Sequence, residues 1–148
     1  MSRAFARIAL AAALFLAFLL SCGKLKELPT DPGGGGGDPI DPTATFTRVQ
    51  NEIFTPTCAT IGCHDPLGQQ SQNILTAGQA YADVVNRPSV ENPALNRVTP
   101  RDPENSYLYR KITGSGITGD RMPQGAPVLS ASQIKLIRDW IRRGAPND

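Results

Sequence analysis

Two cysteines and the only histidine of a 148-residue chain fall within seven residues, Cys58-Ala-Thr-Ile-Gly-Cys63-His64. No other stretch constrains the chain as strongly. Three side chains able to crosslink, to bind metal or to carry a cofactor are held in one short loop, and the remaining sequence supplies one further cysteine, Cys22.

Cys22 has a separate explanation. Arg3 and Arg7 form a positively charged start, Ile8 to Leu20 form an unbroken apolar run, and Leu19-Leu20-Ser21-Cys22 follows. This pattern reads as a secretory signal, and the run is shorter than the about 20 apolar residues of a spanning helix. The site resembles the bacterial lipobox, which implies that residues 1–21 are removed as a lipoprotein signal peptide and that Cys22 is lipidated as the new N-terminus; a plain secretory cleavage nearby is the alternative. The expected mature protein is exported, periplasmic or on the cell surface, tethered to a bacterial membrane by lipid, with no transmembrane segment.

Loss of residues 1–21 takes away two arginines and no acid, leaving 13 basic against 13 acidic residues. A formally neutral chain with scattered basic residues lacks the stripe and the excess that a nucleic-acid binder needs. Residues 22–43 read as a linker, with five consecutive glycines, Gly33 to Gly37, between Asp-Pro pairs. A glycine-rich coil reaches about 5–6 Å times the square root of its length, on the order of 25 Å here. Residues 44–148 then form one domain, small enough for a bound cofactor or crosslink to matter to its stability.

Periodicity places helices at both ends of that domain. Phe46, Val49, Ile53 and Phe54 share one helical face, and Pro56 is expected to end the helix just before the cysteine loop. Ser130 and Gln133 make a capping box, ahead of a stripe of Ile134, Ile137, Trp140 and Ile141 with Leu136 beside it; Gly144 and Pro146 stop it. Tyr81, Val84 and Val85 predict a short helix before Pro88. Tyr107, Leu108 and Ile112 predict another, which Pro103 could start. No alternating strand pattern is present, so the expectation is an all-α domain with long loops, of the kind that wrap something or carry function.

In an exported protein the two loop cysteines admit several readings. A Cys58–Cys63 disulfide suits an oxidising compartment. Structural zinc wants four ligands, and no cysteine or histidine follows His64. Thioredoxin-like chemistry needs a C-x-x-C near a βαβ pattern, and neither is present. Covalent haem attachment uses two cysteines and an immediately following histidine, usually as C-x-x-C-H; here four residues separate the cysteines. A sixth iron ligand is often methionine. Without the initiator, the chain retains only Met122, in the polar, proline-bounded turn Asp120-Arg-Met-Pro-Gln-Gly-Ala-Pro127.

Taken together, residues 46–148 resemble a class I c-type cytochrome, specifically the single-haem modules with lengthened cysteine spacing found in bacterial lipoproteins of the planctomycete type. The parts that carry the resemblance are Phe54 four residues before Cys58, the attachment motif ending in His64, Met122-Pro123, and the ending Trp140-Ile-Arg-Arg-Gly-Ala145. It implies a cytochrome c-like fold with crossed N- and C-terminal helices and long loops around one haem. Haem c would be bonded through Cys58 and Cys63, its iron ligated by His64 and Met122. Two departures stand out. The wider cysteine spacing has to bulge, which Gly62 permits, and Gln50 stands where many family members carry a glycine at the helix crossing.

The implied function is electron transfer with redox partner proteins and no substrate chemistry. The rival functions are a haem-free surface lipoprotein with a Cys58–Cys63 disulfide, and a haem peroxidase or sensor in which Met122 leaves the iron. Arg101, Arg110, Lys111 and Arg121 are read as solvated surface, with propionate or partner contacts as the other option.

Overall fold

The computed structural model describes residues 38–148 apart from 69. The expected signal peptide, the expected lipidation site Cys22 and the linker up to residue 37 lie outside the described residues. Helix α1 (Phe46–Val49) continues without a break into π-helical Gln50–Cys58; α2 (Ala80–Val84), α3 (Tyr107–Thr113) and α4 (Ala131–Arg142) follow, with a single 3₁₀ turn at Gln70–Gln72. Among the described residues there is no strand, only isolated bridges such as Val85 with Val98 and Asn96 with Ser106. The described domain is all-α, and none of its helices is long and apolar enough to cross a membrane.

The first helix departs from expectation at its end. Pro56 lies inside the helical segment and does not terminate it. Proline removes one donor and crowds the carbonyl four residues back. Here the bonding is re-registered to five residues back, so the ladder resumes where Ala59 N–H donates to the Phe54 carbonyl at 2.7 Å. The helix therefore delivers Cys58 at its last turn. π-Helical turns are frequently found at functional sites.

At the other end, the expected capping box is present: Ser130 Oγ accepts from Gln133 N–H at 3.3 Å, and Gln133 Oε1 accepts from Ser130 N–H at 2.9 Å. Gly144, at φ 101°, turns the chain out of α4. Leu136, Ile137, Trp140 and Ile141 are buried. Ile134, predicted for the same stripe, is only half-buried against them. The two shorter helices are also found, although Val85 falls just outside α2 in extended conformation. Pro103 does not start α3; Ser106 is the N-cap, and Pro103 closes the preceding turn by accepting from Ser106 N–H at 3.0 Å.

The terminal helices α1 and α4 pack on one another around an aromatic centre. Phe46 lies 5.4 Å from Trp140 and 5.2 Å from Tyr81, ring centroid to centroid. Val49, Ile53, Phe54, Ile137 and Ile141 are fully enclosed around them, each contributing about 1.5–3 kcal/mol by burial. The polar edges are satisfied, with Trp140 Nε1 donating to the Pro146 carbonyl at 2.9 Å and Tyr81 Oη to the Ala145 carbonyl at 3.0 Å. Gln50 is buried and ties the π-helix to the following loop: its Nε2 donates to Thr55 Oγ1 at 3.0 Å and to the Leu75 carbonyl at 2.9 Å.

A second polar knot joins residues 38–43, which the sequence places in the linker, to α4. The Asp139 carboxylate is fully buried and accepts from Asp41 N–H at 3.1 Å and from Lys135 Nζ. Arg138 and Arg142 flank its other oxygen at 3.6 and 3.7 Å. Lys135 also reaches the Pro39 carbonyl, and Arg142 the Asp38 carbonyl.

Candidate functional site

The packing of α1 on α4 leaves the loops to build a separate cavity of about 460 Å³, within the about 300–1,000 Å³ typical of small-molecule and cofactor sites. Cys58, Cys63, His64 and Met122 all line it. Sequence places these four up to 64 positions apart; the fold brings them to one space. Apolar side chains of Leu75, Leu108, Ile112 and Leu129 complete much of the wall.

Cys58 arrives on the last π-helical residue, and the loop after it is pinned by backbone bonds. Cys63 N–H donates to the Thr60 carbonyl at 3.0 Å, and His64 N–H to the Cys58 carbonyl at 3.1 Å. Both cysteines are free thiols. Their environments differ: Cys63 is exposed, whereas burial, with a smaller contribution from the neighbouring Cys63, pushes the Cys58 thiol up to about 12. A thiol held neutral in this way is a poor redox catalyst, so burial adds to the sequence argument against thioredoxin-like chemistry.

His64 is the most informative side chain. Its Nδ1 lies 3.0 Å from the Asn73 carbonyl oxygen. A carbonyl can only accept, so Nδ1 donates to it, and in the neutral ring the lone pair falls on Nε2 of a residue that lines the cavity. Histidines that bind metal almost always anchor their other ring nitrogen in this way. The backbone is held as well, with Leu75 N–H donating to the His64 carbonyl at 2.8 Å.

Met122 enters from the loop after α3. Its N–H donates to the Lys111 carbonyl at 2.9 Å, and the preceding Arg121 donates from Nε to the Ile112 carbonyl at 2.8 Å. Both bonds use carbonyls at the C-terminal end of α3, which lack helical partners. The methionine is half-buried and lies outside the main core cluster.

One expectation is corrected here. Lys111 is not solvated surface: it is 8% exposed, lines the cavity, and donates from Nζ to Glu91 Oε2 at 2.9 Å and to the Thr118 carbonyl at 3.2 Å. Tyr107 Oη donates to the same Glu91 oxygen at 2.9 Å and accepts from Thr118 N–H at 3.1 Å. Arg101 is exposed; Arg110 and Arg121 are half-buried and bonded to backbone carbonyls.

Sequence reasoning missed Asn73, Glu91, Tyr107 and Leu129 as cavity residues. Asn73 acts through its backbone carbonyl, which no residue type advertises. The others come from three separate segments and share no spacing rule.

One imidazole nitrogen, one thioether and two thiols line a space walled by apolar side chains and by the Lys111–Glu91 pair, and among the described residues no group of three or more His, Cys, Asp or Glu side chains is arranged to hold a metal ion by itself. Comparison with protein-family models, with curated proteins and with solved structures finds no match.

Proposed function

We propose that this domain transfers electrons through one covalently bound haem c, attached at Cys58 and Cys63 and ligated by His64 and Met122, in an exported lipoprotein tethered through Cys22. The observation that carries the reading is the convergence of those four domain residues on a single cavity, with the Nδ1 side of His64 engaged by the Asn73 carbonyl so that Nε2 is the ring nitrogen left to ligate. The bound group would supply reversible one-electron chemistry.

The chain's own residues supply the rest. Cys58 and Cys63 present two thiols on either side of a short loop, where they would hold the group covalently. His64 offers nitrogen and Met122 offers sulfur, and a thioether ligand favours the reduced state and raises the potential. The axial-ligand range spans about 0.8 V, and this pair belongs in its upper half. Leu75, Leu108, Ile112 and Leu129 line the same space with apolar surface, against which a bound porphyrin would pack. If His64 and Met122 both held the iron, no ligand position would be left for a substrate, which separates this reading from a peroxidase, and the chain has no second histidine to assist peroxide chemistry. The partners are redox proteins reached from the membrane-tethered linker.

The test is expression of the full chain in a host with cytochrome c maturation factors, followed by absorption spectroscopy, intact mass and haem staining after denaturing electrophoresis. One haem per chain that survives denaturation is the expected result, and the double variant Cys58→Ala/Cys63→Ala should lose it. A colourless protein with a Cys58–Cys63 disulfide would establish the interaction-lipoprotein reading instead.

A further inference from the structure

We infer that Asp65 is the positioning residue of the widened cysteine loop, holding Cys63 and His64 in register with Cys58 before the cofactor is attached; the inference rests on the haem reading above. Asp65 is 6% exposed, and a buried carboxylate is costly unless its oxygens are bonded. One of its oxygens, Oδ1, accepts two backbone hydrogen bonds, from Gly62 N–H at 3.1 Å and from Gly68 N–H at 2.7 Å. The donors stand on either side of Cys63 and His64, so residues 62–68 close into a ring around a single oxygen atom.

The two glycines are what permit the closure. Gly62 sits at φ 81°, a backbone conformation that favours glycine. At Gly68 a Cβ would stand 2.4 Å from the Cys63 carbonyl oxygen and 2.7 Å from Asp65 Oδ1. The close approach also lets Gln70 N–H donate to the Cys63 carbonyl at 3.1 Å. With four residues between the cysteines in place of the usual two, the loop has more conformations to lose on attachment. Asp65 removes that freedom in advance, which is the general benefit of preorganisation.

Attachment at each cysteine is an addition in which S–H adds across a vinyl C=C, sulfur to one carbon and hydrogen to the other, with nothing oxidised or released. Cys58 sits on the helix end and does not depend on the ring. Cys63 lies inside it. Loss of Asp65 should therefore impair attachment at Cys63 more than at Cys58, whereas a general loss of stability would lower both together.

The experiment expresses the full chain with maturation factors as wild type, Asp65→Ala, Asp65→Asn and Gly68→Ala, then alkylates the denatured haem-bearing protein and counts labels at Cys58 and Cys63 by peptide mass. Asp65→Ala should raise the share of haem-bearing chains with a free Cys63 several-fold, and Gly68→Ala should do the same. Asp65→Asn keeps an acceptor at Oδ1 and should restore the wild-type split. Asp65→Ala with the wild-type split overturns the inference; if that variant is not recovered, Gly68→Ala with the wild-type split overturns it. A wild-type chain without attached haem overturns the haem reading and this inference with it, whereas attached haem with an unaffected Cys63 overturns this inference alone.

Discussion

Replacing Asp139 with asparagine keeps the shape of the side chain and removes one charge from a fully enclosed site. The carboxylate is fully buried, and three cations stand within salt-bridge distance: Lys135, Arg138 at 3.6 Å and Arg142 at 3.7 Å. A single pair at that separation is worth roughly 4–5 kcal/mol of gross attraction at an effective dielectric of 20, most of it offset by desolvation of the carboxylate. Removing one partner of a buried pair typically costs about 3–5 kcal/mol because the other charge is stranded. Here the stranded cations are not equally buried: Lys135 is 41% exposed and Arg142 12%. Water can solvate the lysine, so the loss belongs near the lower end, about 2–4 kcal/mol. Urea unfolding of the full chain measures it as a lower midpoint with an unchanged slope. The Asp41 amide, which donates to Asp139 Oδ2 at 3.1 Å, should also exchange with solvent faster as the 38–43 segment loosens from α4. A loss under about 1 kcal/mol would refute the reasoning, because it would mean that desolvation cancels the ion pairs almost completely.

On the proposed haem reading, Met122→Ala should keep haem attached while abolishing the weak far-red sulfur-to-iron absorption, lowering the potential by on the order of a hundred millivolts within the axial-ligand range and allowing carbon monoxide to bind the reduced protein; a packing role alone leaves spectrum and potential unchanged. In the haem-free chain at pH 8, a thiol reagent should label exposed Cys63 well before Cys58, whose thiol burial pushes up to about 12; equal labelling rates count against the buried environment. The same shift has a stability consequence: the folded-state value lies above the unfolded 9.0, so the contribution is fully present below pH 9 and is lost as pH rises from 9 towards 12, seen as a falling urea midpoint that Cys58→Ala removes. Trp140→Ala, which empties the fully enclosed centre between α1 and α4, should cost about 3–5 kcal/mol, read from the same unfolding curves; a loss under about 1 kcal/mol would mean the centre collapses to fill the space.

Much of this protein was determined by its sequence alone. The terminal helices were legible because their apolar residues repeat at helical spacing and their ends carry local signals, the Ser130–Gln133 box and Gly144. The cysteine loop was legible because adjacency along the chain guarantees adjacency in space for Cys63 and His64. Other features were decided only by the tertiary structure. Pro56 reads locally as a stop, yet the helix passes through it by changing its hydrogen-bond register, and the packing of Ile53 and Phe54 into the core favours that continuation. Lys111 reads as a surface cation, yet Glu91, twenty positions away, neutralises it inside the cavity wall. Asn73 contributes a carbonyl, and every residue has one. Local signals depend on side-chain type and near neighbours, so sequence carries them; convergence of Met122, Asn73 and Glu91 on one cavity depends on how the chain closes its loops, which is set by the summed packing of the whole domain.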